Sequence, residues 1–224
     1  MIKIIENQDQ SHQIAKMLLN IGAIQLSLQK PFVWSSGWNS PIYCDNRLSL
    51  SFPEVRSYIK NLLAEQIKLN YPEVEAIAGV ATAGIPQGAL VAEQLGLPFL
   101  YVRSKPKGHG MENMIEGKIT KNQQVVLIED LVSTGGSSLK AAQALKEAEF
   151  KILGMVAIFT YGFDTARQNF GEANIPLVCL SDYNTLIEEA LQQGIISEKE
   201  VELLKGWREN PAAWTNDPQK SKVV

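Results

Sequence analysis

Two acids, Glu129 and Asp130, stand where the apolar stretch VVLI runs into a turn rich in hydroxyls and glycine; residues 125–137 read VVLIEDLVSTGGS. A turn of this kind ahead of a helix is an anion site, because successive backbone N–H groups and the positive end of the helix form a concavity for phosphate. Ser133, Thr134 and Ser137 could add donors, and Gly135 and Gly136 would let the backbone approach the anion closely. Leu131 and Val132 join the acids to the turn. Carboxylates at the rim would repel a bare phosphate. They make sense if the ligand carries hydroxyls or a metal beside it, since an ionised carboxylate accepts hydrogen bonds and can help hold a hydrated Mg²⁺. A ribose 5-phosphate derivative has that combination, with its phosphate in the turn and its 2- and 3-hydroxyls on the acids. The plainer alternative is a glycine-rich loop capped by Ser and Thr, with solvated acids.

Two further segments carry chemistry. YVRSKPKGHGMENMIEG, residues 101–117, gathers Arg103, Lys105, Lys107 and His109 among Pro106, Gly108 and Gly110, too cationic and too glycine-rich to pack. It reads as a mobile loop that closes over a departing anion and excludes water, or else as a solvated surface turn. In GVATAGIP, residues 79–86, the backbone N–H groups of Thr82, Ala83 and Gly84 could receive phosphate oxygens; a purely structural strand-to-helix turn is the alternative.

The elements that must position these groups follow from periodicity. Ile14, Met17, Leu18 and Ile21 recur at helical spacing between Ser11 and Ile24, predicting a helix that ends near Gly22. PFVWSSGWNSPIYCDNR, residues 31–47, alternates aromatic and β-branched stretches with turn signals, as a small hairpin would. Pro53 opens a helix that runs to Asn70 on Val55, Ile59, Leu62, Leu63 and Ile67. Beyond Tyr71, unalternating apolar runs (AIAGVA, PFLYV, QVVLIED, ILGMVAIFTY) alternate with helical segments, the pattern of a doubly wound, mostly parallel sheet covered on both faces. In such folds ligands gather at the carboxyl ends of the strands, so the loops at 80–86, 103–117, 129–137 and 160–164 should share one mouth. Two helices are expected between Tyr183 and Trp207, and the last residues, NDPQKSKVV, read as a frayed end.

The 224 residues suit one α/β domain over 1–224. A net charge of -3 provides no general attraction to nucleic acid or anionic membrane, so neither is expected as a partner. No apolar run approaches the ~20 residues of a membrane span, and the N-terminus has no signal core, so a cytoplasmic location is expected. Cys44 and Cys179 lie outside any metal-ligand spacing and read as reduced thiols.

VVLIEDLVSTGGS resembles the phosphoribosyl pyrophosphate motif of the type I phosphoribosyltransferases, an apolar strand followed by two acids, two apolar residues and a Thr/Ser/Gly turn. Arg103, Lys107, His109 and Gly110 are similar in spacing to the catalytic loop of the orotate phosphoribosyltransferases. Ser36-Gly37 and Ser40-Pro41-Ile42-Tyr43 resemble that family's hood, which covers the base, and GVATAGIP its pyrophosphate loop. The resemblance spans roughly residues 10–210. It implies the type I fold, with residues up to about 50 contributing the hood, and transfer of phosphoribosyl from 5-phosphoribosyl 1-pyrophosphate to orotate. It also implies Mg²⁺ held through the donor's pyrophosphate and ribose oxygens rather than by a protein metal site, Tyr43 and Ser133 near the base, and a homodimer whose loop reaches the neighbouring site. Tyr161 and nearby backbone are left as candidates for orotate's carboxylate. The rivals are a purine transferase sharing the donor motif and a non-enzymatic sensor of the donor.

Overall fold

The computed structural model describes residues 2–34, 39–105 and 114–214. The chain opens with β1 (Ile2–Ile4) and α1 (Gln8–Asn20). Four short strands follow: β2 (Ile24–Leu26), β3 (Phe32–Val33), β4 (Asn39–Ser40) and β5 (Ile42–Cys44). After a 3₁₀ turn at Asn46–Ser51 come α2 (Pro53–Asn70), β6 (Ala76–Val80), α3 (Gly84–Leu95), β7 (Phe99–Val102) and β8 (Ile115–Glu116). The remainder is β9 (Gln124–Val132), α4 (Gly136–Glu147), β10 (Lys151–Thr160), α5 (Asp164–Glu172), β11 (Leu177–Asp182), α6 (Tyr183–Gln192) and α7 (Glu198–Glu209).

One seven-stranded sheet runs in the order β1-β11-β10-β9-β6-β7-β8. Its pairs are parallel except β7 with β8 at the edge. The apolar runs explain the layering. In β9, Val126 and Ile128 enter one core while Val125 and Leu127 enter the other; in β10, Val156 and Ile158 oppose Met155 and Ala157 in the same way. A strand apolar on both faces needs helices on both faces. The first core receives Ile14 and Leu18 of α1, Ile59 and Leu63 of α2, Val91 of α3 and Leu186 of α6. The second receives Ala141 and Leu145 of α4 and Ala166 and Phe170 of α5. Each fully buried Ile, Leu, Val or Phe among them contributes about 1.5–3 kcal/mol. The sheet is therefore the doubly wound, mostly parallel one that the alternation predicts.

Helix α2 keeps its predicted bounds, since Pro53 supplies the preset φ at its start. α1 begins earlier than expected, because the Asn7 side chain accepts from the Gln10 N–H at 3.2 Å and caps it there. Several elements went unassigned from the sequence, β1, α5 and β11 among them. β1 is three residues long, and α5 and β11 lie in a stretch whose strand, LVCLSD, is a short apolar run without a period of its own.

Residues 31–47 do form hairpin-like structure, as two separate pairs: Phe32 opposite Ser40, and Ile24 opposite Cys44. Of the first 50 residues, those in β2–β5 make these small sheets, whereas β1 lies on the edge of the main sheet beside β11. The small sheets rest on aromatic packing. The Trp34 ring lies 5.1 Å from Tyr161 and 5.6 Å from Trp207, and Trp207 Nε1–H donates to the Asn39 carbonyl at 3.3 Å. α7 and the end of β10 thus anchor the hood. Ser36 and Gly37 of the hood motif lie outside the described residues, as do 216–224 at the tail.

Candidate active site

β9 delivers Glu129 and Asp130 to the carboxyl edge of the sheet, between β6 and β10. Glu129 is 5% exposed. One of its oxygens accepts the Ser138 hydroxyl at 2.8 Å and the other the Asp130 N–H at 3.1 Å. Burial holds the Glu129 carboxyl well above the usual carboxylate range, and the adjacent Asp130 charge adds to this. Asp130 is raised as well, again by burial, while hydrogen bonds from Glu129 and the backbone, and then the Arg47 charge, pull it back. The two acids therefore titrate as a pair. Ser138 was not anticipated; its hydroxyl is committed to Glu129.

Beyond Val132 the chain turns into α4 through Gly135, whose φ is +85°. A Cβ there would sit 2.7 Å from the Phe170 ring, so both backbone conformation and packing demand glycine. Gly136 has nothing within 4 Å of such a Cβ. α4 starts without a side-chain cap, so its first N–H groups are a ready anion site beside the exposed Gly136 and Ser137.

The Thr82–Ala83 loop reaches the same place by close backbone contact. A Cβ on Gly79 would meet the Gly84 carbonyl at 2.6 Å, and one on Gly84 the Ile128 carbonyl at 2.3 Å. With glycine at both positions, the start of α3 folds back against the end of β9. α3 too begins without a side-chain cap. Two uncapped helix N-termini thus flank the acid pair. Thr82, Ala83, Glu129, Asp130, Leu131 and Ser137 line one cavity of about 340 Å³.

Other anticipated residues lie elsewhere. Val132 is fully buried, with its carbonyl accepting the Thr160 hydroxyl at 2.9 Å, so it holds the turn from below. Ser133 is half-buried, and the Thr134 carbonyl accepts from the Asn169 side chain at 2.9 Å. The Tyr43 ring lies 5.5 Å from Phe32 in the hood. Arg103 Nη1 donates to Glu116 at 3.3 Å, and Lys105 is exposed; neither lines the cavity. Lys107, His109 and Gly110 lie outside the described residues. Gly162 and Phe163 line a second cavity of about 150 Å³, which Thr134 of the acid-pair turn shares with Arg208. Tyr161 is 2% exposed under Trp34 and Trp207, and burial raises its hydroxyl well above the usual range.

Three lining residues escaped the sequence reading. Cys44, Asp45 and Arg47 lie on the wall of the larger cavity. Asp45 accepts Arg47 Nε at 2.6 Å and Nη2 at 2.8 Å, a bidentate fork. The intervening Asn46 donates to the Asp130 carbonyl at 2.7 Å, tying this segment to β9. The available signal was the polar run Asp-Asn-Arg directly after a strand. The Cys44 thiol is raised mainly by burial and is no nucleophile.

Two uncapped helix N-termini with an acid pair between them, at the carboxyl edge of a doubly wound sheet, suit a phosphoribosyltransferase. The phosphoribosyl transferase domain family matches residues 48–184. An orotate phosphoribosyltransferase of Cytophaga hutchinsonii is 56% identical over 202 residues, covering 90% of this chain and 97% of that relative. One of Porphyromonas gingivalis is 57% identical over 201 residues, covering 90% and 96%. The crystal structure of orotate phosphoribosyltransferase from Aeropyrum pernix superposes with a TM-score of 0.72 at 30% identity, covering 82% of this chain and 99% of that one. The chain belongs to the phosphoribosyltransferase family and, within it, to the orotate phosphoribosyltransferases.

Proposed function

We infer that this protein transfers the phosphoribosyl group of 5-phosphoribosyl 1-pyrophosphate to orotate, yielding orotidine 5-monophosphate and pyrophosphate in pyrimidine synthesis. The observation that carries the reading is the cavity in which two uncapped helix N-termini bracket the Glu129–Asp130 pair. The donor has anions at both ends and hydroxyls between them, and the cavity presents complementary groups in that order. The 5-phosphate meets the start of α4, and the pyrophosphate meets Thr82 and Ala83. The ribose hydroxyls donate to the acids.

In the reaction the bond from C1 to the pyrophosphate oxygen breaks and its electron pair leaves with pyrophosphate, while orotate N1, having released its proton, forms the new bond. The transition state carries positive charge at C1, which the negative charge of the acid pair favours, and growing negative charge on the leaving group, which the N–H groups of the Thr82 loop receive. Lys107, His109 and Arg103 are the cations proposed to add to that stabilisation.

Magnesium is the proposed cofactor. The ion would be held through the donor's pyrophosphate and ribose oxygens, with the Asp130 carboxylate on the cavity wall able to help hold a hydrated Mg²⁺. When bound, it neutralises phosphate charge. A homodimer is proposed from the exposed Val33, Tyr43, Leu48 and Phe52, apolar surface that a second copy would cover, with the loop of each protomer reaching its neighbour's site. No helix among the described residues is long and apolar enough to cross a membrane, and two unpaired thiols suit a reducing compartment, which supports a cytoplasmic location.

Incubation of the purified protein with donor, magnesium and each of orotate, uracil, adenine, guanine and hypoxanthine tests the reading. Consumption of orotate with release of pyrophosphate is expected; turnover of a purine alone would overturn the orotate assignment.

A further inference from the structure

We propose that Arg47, oriented by Asp45, is a binding residue for the pyrophosphate-bearing side of the donor, a cation built into the cavity wall. The inference rests on the function proposed above and adds a residue to it. A polyanionic donor must enter a cavity whose wall carries three carboxylates, Asp45, Glu129 and Asp130. Among the described lining residues the cationic side chain is Arg47, and it shares the wall with Thr82 and Ala83. Without it the donor's first encounter is with like charge.

The geometry is that of a prepared group. Asp45 grips Nε and Nη2, yet a guanidinium has five N–H donors, so the fork leaves donors over for a ligand. The same carboxylate accepts the Arg47 backbone N–H at 3.2 Å, and the next residue, Asn46, is fastened to the Asp130 carbonyl at 2.7 Å. Side chain and backbone are therefore positioned together, against the strand that carries the acids. The Arg47 charge is felt at Asp130, where it counteracts part of the rise caused by burial. Stability offers no comparable role for the pair. The Arg47 side chain is 59% exposed, and an exposed ion pair contributes little to folding.

Steady-state kinetics of the full chain with magnesium, varying each substrate in turn, decide the matter. Arg47→Gln is expected to raise the KM for 5-phosphoribosyl 1-pyrophosphate by roughly 10- to 100-fold, the effect of removing one charge-assisted contact. The KM for orotate and the melting temperature should stay near those of the parent. Arg47→Lys, which keeps the charge but loses the fork, should recover part of the donor affinity, and Asp45→Asn should fall between the parent and Arg47→Gln. An unchanged donor KM in Arg47→Gln, or a rise in orotate KM alone, overturns the inference. If orotate is not the acceptor, calorimetric titration of parent and Arg47→Gln with the donor and magnesium still decides it. Equal affinities defeat the role of Arg47, whereas a parent that binds donor without using orotate defeats only the acceptor assignment.

Discussion

Adding one methyl group at Gly135 should cost the protein about 2–5 kcal/mol, whereas the same change at Gly136 should cost almost nothing. Gly135 has φ +85°, a conformation that disfavours an L side chain by roughly 1–2 kcal/mol. Its Cβ would also sit 2.7 Å from Cε2 of Phe170, a ring that is completely buried and has no space to retreat. Forcing a methyl into such a core adds about 1–3 kcal/mol. For a chain of this length each kcal/mol moves the melting temperature by about 2–4 °C, so Gly135→Ala should melt roughly 4–20 °C lower. Gly136 begins α4, has a negative φ and meets nothing within 4 Å, so Ala there should be neutral or stabilising by up to about 1 kcal/mol. The pair also separates two roles of glycine. If the donor phosphate approaches the backbone at Gly136, Gly136→Ala will raise the donor KM without lowering stability. Calorimetric melting and donor titration measure both effects. A Gly135→Ala protein that melts with the parent would refute the packing argument, and an unaltered donor affinity in Gly136→Ala would remove the anion from that position.

Three further outcomes follow from the same geometry. Glu129 and Asp130 are both raised in the folded state, so the stability they confer is full below the ordinary Glu value of about 4.3 and is lost as pH rises through their folded values. Glu129→Gln should therefore melt at or above the parent temperature near neutral pH and lose less stability as pH rises above the ordinary carboxylate range; parallel melting curves would count against the burial argument. Asp130→Asn and Lys107→Ala should each lower turnover by at least ~100-fold with an unchanged circular dichroism spectrum, and near-normal rates would remove the assigned roles. Trp207 is fully buried and holds the Asn39 carbonyl, so Trp207→Ala should lose about 3–5 kcal/mol and expose the hood to proteolysis; a melting temperature equal to the parent's would show that the hood is anchored otherwise.

What could be read in advance was what is local. Strands β6, β9 and β10 announce themselves because both faces are buried and their residues are apolar without alternation. The start of α2 is a property of Pro53, and the order strand, two acids, hydroxyls, glycines is contiguous along the chain. β1 and β11 lacked such signals, being defined by a partner strand rather than by a pattern of their own.

The sequence by itself thus determined the layered sheet, the acid pair and the turn, since backbone preference and hydrophobic period act over a few residues. Tertiary structure decided what those groups face. Asn46 reaches a carbonyl 84 positions away, Phe170 sets the need for glycine at 135, Ser138 gives its hydroxyl to Glu129, and Arg47 arrives at the cavity from the hood. Such contacts arise from packing between segments distant along the chain, where burial and charge depend on neighbours that no local pattern encodes.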